Sequence, residues 1–166
     1  MYQSDLTIIA SDAIANEEEN YAFRLWLKRA DDTELDERVH TINNRVTAAI
    51  DCTQCGNCCK TLVINVTPAE IDALGHALEM TPSAVKEKYI EESQQGSCYM
   101  NTMPCNFLSE NKCTIYTNRF KECRDFPHLY KPGFQQRLLG TLGHYGRCPI
   151  IYNVIEELKT ELNFRS

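Results

Sequence analysis

The sequence predicts a small α+β domain that is mostly helical, irregular in its middle, and furnished with an N-terminal pair of helices and one short hairpin. Three observations lead there. Leu35, Val39, Ile42, Val46 and Ile50 recur at helical spacing. Phe107-Leu108 and Thr114-Ile115-Tyr116 flank a polar turn at residues 109–112. Nine cysteines crowd a chain of 166 residues, a density that points to a fold stapled by metal as well as by an apolar core.

Taken in order, the N-terminal third reads as helix. Residues 14–30 hold Tyr21, Phe23, Leu25, Trp26 and Leu27 behind an acidic first turn, which suits the positive end of a helix dipole. Thr33 is placed to cap a second helix, whose stripe runs from Leu35 to Ile50. Such a stripe is more often core than partner surface, because amphipathic helices bury their apolar faces within their own domain. Residues 61–66 are β-branched enough for a short strand. Thr67-Pro68-Ala69-Glu70 then offers a capping box with proline at the first helical position, and Ile71, Leu74 and Leu78 supply the apolar face. Thr81-Pro82 opens another helix with Val85, Tyr89 and Ile90 turned inward. Residues 94–104 read as a loop, followed by the hairpin over 105–116. Residues 118–124 form a helical turn ended by Phe126-Pro127. Gly140, Gly143 and Gly146 predict a further loop, at a spacing that is no nucleotide-binding fingerprint. Residues 149–162 close the chain as a helix faced by Ile150, Ile151, Val154 and Leu158. The expected organisation is a helical segment, residues 1–49, packed on the core of a cysteine-cluster unit, residues 50–166.

Composition sets bounds on function. An apolar fraction of 43% and a charged fraction of 24% describe a folded chain. The first twenty residues carry Asp5, Asp12, Glu17, Glu18 and Glu19 with no lysine or arginine, and no apolar stretch there suits a signal peptide. Nothing later approaches a membrane span. The expected address is the cytoplasm, where thiols stay reduced. That expectation, with the odd cysteine count, argues against a disulfide framework. Residues 1–51 hold eleven acidic and five basic side chains, which accounts for the whole formal charge of −6. A protein partner could therefore use the acidic N-terminal helices, whereas nucleic acid and membrane are not expected partners. Seven basic side chains stand against Glu122 and Asp125 within residues 112–147. Their simplest use is to offset the charge of a thiolate-bound metal.

The cysteines carry the chemistry. Cys52, Cys55, Cys58 and Cys59 form a C-x2-C-x2-C-C run, followed by Cys105, Cys113, Cys123 and Cys148. A C-x2-C pair bends the backbone so that two sulfurs converge, as a soft ion or an iron–sulfur cluster requires. Adjacent side chains diverge, so Cys58 and Cys59 are expected to reach different metals or to bridge a multinuclear centre. Cys98 stands apart as a buried small apolar residue.

These eight cysteines occur together with Pro104-Cys105, Phe107-Leu108, Cys113-Thr114-Ile115-Tyr116, Arg119, Cys123-Arg124-Asp125-Phe126-Pro127 and Cys148-Pro149. In that combination the chain resembles the CxxCxxCC, or YkgJ-type, cysteine-cluster family, over roughly residues 50–151. The Thr-Pro-x-Glu helix start at Thr67 fits the same pattern. The resemblance implies a zinc- or iron-chelating domain. One departure is that Arg119 is followed by Phe120 where the family usually has proline, which loosens a turn and removes no ligand. The cluster is also similar to that of flagellin lysine N-methylases. No separate S-adenosylmethionine-binding segment is found here, so methyl transfer does not follow.

Eight thiols suffice for two four-sulfur sites, or for one cluster plus a separate ion. Three evenly spaced thiols suit an iron–sulfur cluster, which is the preferred cofactor and is compatible with a redox or group-transfer role. The alternative is zinc, as a structural staple of an interaction module or as the cargo of a carrier or sensor. Arg119 and Arg124 bracket Cys123 and are expected to surround the cofactor and soften its charge. His128 and His144 are candidates for supporting or substitute ligands, whereas His40 and His76 belong to helices. No Ser/His/Asp set, H-E-x-x-H or paired-carboxylate motif supports hydrolysis, and no catalytic residue is assigned.

Overall fold

The computed structural model describes residues 1–30 and 33–165, which fall into two compact units. The first comprises residues 1–52 and 127–166, the second residues 53–126. The chain opens with α1 (Leu6–Ala15), α2 (Glu17–Leu27) and α3 (Leu35–Ala49). The second unit then contains α4 (Asn57–Thr61), α5 (Pro68–Leu78), α6 (Pro82–Tyr89), β1 (Ile90–Glu92), β2 (Cys98–Met100), β3 (Leu108–Ser109), β4 (Lys112–Cys113) and α7 (Lys121–Asp125). The first unit is completed by α8 (Phe134–Leu142) and α9 (Pro149–Glu161). The fold is thus a small, mostly helical α+β protein with two antiparallel two-stranded sheets among its described residues. No helix among those residues is long and apolar enough to cross a membrane.

The regular elements described in the first unit are α1, α2, α3, α8 and α9. Its core stripe runs as anticipated through Leu35, Val39, Ile42 and Val46, which are buried where α3 packs on α9. The helix expected over 14–30 is present as α2 but starts only at Glu17, and an unanticipated helix, α1, precedes it. Asp5 caps α1 by accepting from the Thr7 and Ile8 backbone N–H groups. Asn16 then leaves the helical region at φ −101°, and its Nδ2 donates to the Tyr145 hydroxyl at 3.3 Å. Thr33 does not cap α3, which starts after Glu34 with no side-chain cap.

The loop expected around the later glycines is partly helix. Phe134, Leu138 and Thr141 form the buried side of α8, and Gly140 is carried within it. The cap of α8 comes from far away in the chain. Asp36 Oδ1 accepts from Phe134 N at 2.8 Å and Oδ2 from Gly133 N at 2.6 Å. Gly146 needs to be glycine because a Cβ there would sit 2.7 Å from that of Ala13. Lys159, only 4% exposed, is paired with Glu19 and Glu156, each at 2.8 Å.

The second unit has a smaller core built on Ile71, Leu74, Val85, Met100, Phe107 and Phe120. Its first sheet was not anticipated. Residues 94–104 include β2, which pairs with β1 through Glu91 opposite Tyr99. The strand expected over 61–66 is confined to its last residues, because Thr61 ends α4. Met100 N donates to Ile64 O and Val66 N to Cys98 O, so residues 64–66 flank β2 on its other side. Cys98 is buried in this core as a small apolar side chain. The second hairpin lies where anticipated but is tighter. Leu108 pairs with Cys113 and Ser109 with Lys112. Glu110 and Asn111 make the turn at φ 49° and 64°, the paired left-handed conformation of a two-residue hairpin turn. The capping box is present as read, with Thr67 and Glu70 bonding reciprocally.

Two consequences follow for Asp36. Replacing it with alanine removes the α8 cap and should cost about 1 kcal/mol of unfolding free energy, measured by chemical denaturation. Burial pushes the Asp36 carboxyl up, but the Phe134 and Gly133 N–H groups outweigh it and hold the carboxyl below its ordinary value. Its contribution is therefore complete above the unfolded carboxylate value of about 4 and is lost as pH falls through the lower folded value. Stability measured against pH should lose this part of its acid limb in Asp36→Asn.

Candidate metal centre

Six of the eight candidate ligands lie in the second unit, on three separate pieces of backbone. Cys55 follows a 3-10 turn over Cys52–Gln54, and Cys58 and Cys59 sit on the single-turn helix α4. Cys105 and Cys113 belong to the β3–β4 hairpin, one before it and one within it. Cys123 is the middle residue of α7. All six are half-buried. The first unit contains the other two, Cys52 as an exposed side chain at its boundary and Cys148 buried at the N-cap position of α9.

Local backbone chemistry explains how the pieces are brought together. Gly56 adopts φ +60° ahead of α4, and an added Cβ would lie 2.6 Å from the Asn111 carbonyl oxygen. Glycine is required there both for the left-handed turn and for the close approach to the hairpin tip. The Cys105 N–H donates to the Cys59 carbonyl at 2.8 Å, tying α4 to the hairpin a second time. The helix α7 is held by two carboxylates. Glu70, already closing its capping box, accepts from Lys121 N at 2.6 Å through Oε1. Glu122 accepts from Asn65 N at 2.7 Å and from Asn65 Nδ2 at 2.9 Å. Neither tether was foreseen. Glu70 was legible as a local cap, but nothing local reveals that its second oxygen holds the start of a helix some fifty residues on.

The sulfurs feel one another. The Cys59 thiol donates to Cys58, and this hydrogen bond is the largest cause that draws the Cys58 thiol well below its usual range. The Cys59 and Cys58 backbone N–H groups and the Arg119 charge act in the same direction. The two adjacent thiols therefore influence each other's ionisation. Neighbouring positions on a helix are separated by about 100°, so suitable rotamers can bring their Sγ atoms together. Cys59 is correspondingly pushed up, by that hydrogen bond, by burial, and by Cys58, Cys105 and Cys113. Burial, then Cys105, Cys58 and Cys113, push Cys123 up to about 12. Cys105 is raised by burial, against a hydrogen bond from the Phe107 N–H.

Arg119 and Arg124 form a small basic group beside these thiols. The Arg119 guanidinium stacks 4.0 Å from the centre of the Tyr116 ring. Arg124 Nη1 donates to the Arg119 carbonyl. The Arg119 charge acts on Cys58 and that of Arg124 on Glu70. His128 and His144 belong to the first unit, and burial, followed by Arg147, lowers the His144 imidazole.

Soft sulfur donors from three segments, with Cys58 prepared as a thiolate and Cys59, Cys105 and Cys123 held back by burial and repulsion, fit a soft or borderline cation. Among the described residues no three cysteine, histidine or carboxylate side chains already converge at ligand spacing. Thiolates repel at short range, so drawing them together needs compensating positive charge. The Gly56–Asn111 contact should be sensitive. Gly56→Ala places a side chain in the left-handed region against a backbone oxygen, at a cost of about 1–3 kcal/mol. Denaturant titration should show the loss, and metal content should fall with it as the α4 segment lifts from the hairpin.

Comparison with known proteins agrees with the donor chemistry. A family model described as "Putative zinc- or iron-chelating domain", CxxCxxCC, matches residues 51–145, more than half of the chain. The match contains seven of the eight candidate cysteines and ends before Cys148. Neither the curated proteins nor the solved structures include a match. With its four-cysteine run leading into α4, its hairpin pair and its Cys123 helix, the chain belongs to the CxxCxxCC family of zinc- or iron-chelating domains.

Proposed function

We propose that the chain chelates metal through Cys52, Cys55, Cys58, Cys59, Cys105, Cys113, Cys123 and Cys148, with an iron–sulfur cluster as the preferred occupant. One observation carries the reading. Cys58, Cys59, Cys105, Cys113 and Cys123 come from three backbone segments and act on one another electrostatically. The iron–sulfur preference is supported by the even C-x2-C-x2-C spacing, which suits three corners of a cluster. When bound, such a cluster supplies one-electron chemistry.

The protein's own residues have defined tasks under this proposal. Cys58 offers the readiest anion, since donors surround its sulfur. Arg119 offsets charge at Cys58, and Glu70 and Glu122 keep the Cys123 helix in place. The Phe107 N–H bonds the Cys105 sulfur, a contact that tunes thiolate donation in metal sites generally. Zinc is the second reading, favoured by the hairpin that supplies Cys105 and Cys113. It would make the protein a structural module or a carrier. A reducing compartment such as the cytoplasm suits either occupant.

Anaerobic purification without added metal, followed by elemental analysis and an absorption spectrum, separates the readings. Iron with acid-labile sulfide and broad visible absorption is expected. Stoichiometric zinc and a colourless protein would replace the iron–sulfur assignment with the zinc one. Cys123→Ser should lose most of the metal and lower the melting temperature, whereas Cys98→Ala should retain full metal content. Equal metal content in both variants would remove Cys123 from the ligand set. Metal uptake by the apo-protein should also release protons at neutral pH, because Cys123 and Cys105 are held protonated. A pH-indicator titration during reconstitution reads this directly, and affinity should weaken as pH falls.

A further inference from the structure

The helix α2 has two faces of different character. Asn20, Phe23 and Leu27 are buried, with α8 as a neighbour. The opposite face carries Glu18, Tyr21, Ala22, Leu25, Trp26 and Arg29, spaced as one helical stripe. Lys28 keeps a right-handed helical backbone and Arg29 N donates to Trp26 O at 3.0 Å, so the stripe continues through the last turn. Tyr21, Leu25 and Trp26 are 59%, 37% and 41% exposed. A shallow groove runs along Ala22, Leu25, Trp26, Arg29 and Ala30.

Trp26 is fixed in place. Its ring lies 5.6 Å from that of Phe164 and 6.2 Å from that of Phe23. An aromatic side chain held from within, with its outer surface exposed, is preorganised as an interface anchor, because little rotamer freedom remains to be lost on association.

The order of residues along this face selects a partner. Acidic Glu17 and Glu18 stand at its start and basic Lys28 and Arg29 at its end, with apolar side chains between. We propose that two copies of this chain pair through α2, with the helices antiparallel about a two-fold axis. Placing the axis between residues 23 and 24 sets Glu18 of each copy against Arg29 of the other. The same operation sets Tyr21 against Trp26 and Ala22 against Leu25, a large residue beside a small one. Each contact occurs twice, as an isologous interface requires. The antiparallel arrangement also opposes the two helix dipoles favourably. A basic partner protein would match only the acidic end, and an acidic one only the Arg29 end. A second copy matches both. A single pair of short helices covers less than the roughly 800 Å² per partner of a standard interface, so the dimer is weak and concentration-dependent.

Sedimentation equilibrium of the full chain, in reductant and over micromolar to millimolar concentration, tests the proposal. The apparent mass should rise from 19.0 kDa towards twice that value. Emission from the single tryptophan should shift to shorter wavelength over the same range, since Trp26 becomes covered. Glu18→Arg alone, or Arg29→Glu alone, places like charges together twice per dimer and should weaken association by about tenfold or more. The double variant restores opposite charges and should recover it. Mixing the two single variants should give a heterodimer, since every facing pair is then of opposite sign. Circular dichroism of these surface variants should match that of the parent. A parent that stays monomeric throughout overturns the proposal. So does a dimer that ignores the single reversals, or a double variant and a mixture that fail to recover association.

Discussion

Sulfur atoms gathered to hold a cation repel one another as soon as they ionise, and the second unit is organised around that constraint. One thiolate is made easy, at Cys58, where a neighbouring thiol, two backbone N–H groups and Arg119 all favour charge. The same gathering makes ionisation of Cys59, Cys105 and Cys123 hard. Under the proposed chelation, a metal ion would resolve the conflict by replacing protons with a charge that its sulfur ligands share. Affinity for metal and reluctance to ionise without it are two aspects of one arrangement.

Because repulsion would spread the sulfur-bearing segments, other contacts hold the backbone. The glycine of the cysteine run lies against the hairpin tip, and the Cys105 amide reaches back to the Cys59 carbonyl. Glu70 and Glu122 fasten the Cys123 helix to the start of α5 and to the extended segment before it. Burial around Lys121 and Thr67 pushes the Glu70 carboxyl up, but their N–H groups outweigh it, so Glu70 stays ionised where it is needed. A modest apolar core, with Cys98 as one of its members, then suffices for this unit.

The first unit follows different physics. Its helices are held by a continuous apolar core and by a few buried polar contacts, of which Lys159 between Glu19 and Glu156 is the clearest. Lysine buried to this extent is tolerated only when paired. The outer face of α2 obeys neither the core rule nor the solvent rule, since it is apolar in the middle and oppositely charged at its ends.

What could be read from the sequence was whatever depended on near neighbours in the chain. The stripe on α3, the capping box at Thr67, the helix start at Thr81 and the existence of the second hairpin all rest on spacings of two to four residues. The cysteine pattern was equally legible, because thiols have few other uses at that density. What only the tertiary structure decided involved partners far along the chain. The helix α8 is capped by Asp36, not by a residue of its own. The break at Asn16 is stabilised by Tyr145, and β2 exists because residues 64–66 and β1 pair with it on either side. The adjacency of Cys58 and Cys59 was visible at once, but whether their sulfurs part or meet depends on rotamers, and those are set by the surroundings of α4. Short-range periodicity and residue chemistry thus determined that this is a helical, metal-chelating protein. Hydrogen bonds and charge between distant segments decided how its thiols are brought together, because each sulfur's ionisation depends on neighbours that the linear order does not reveal.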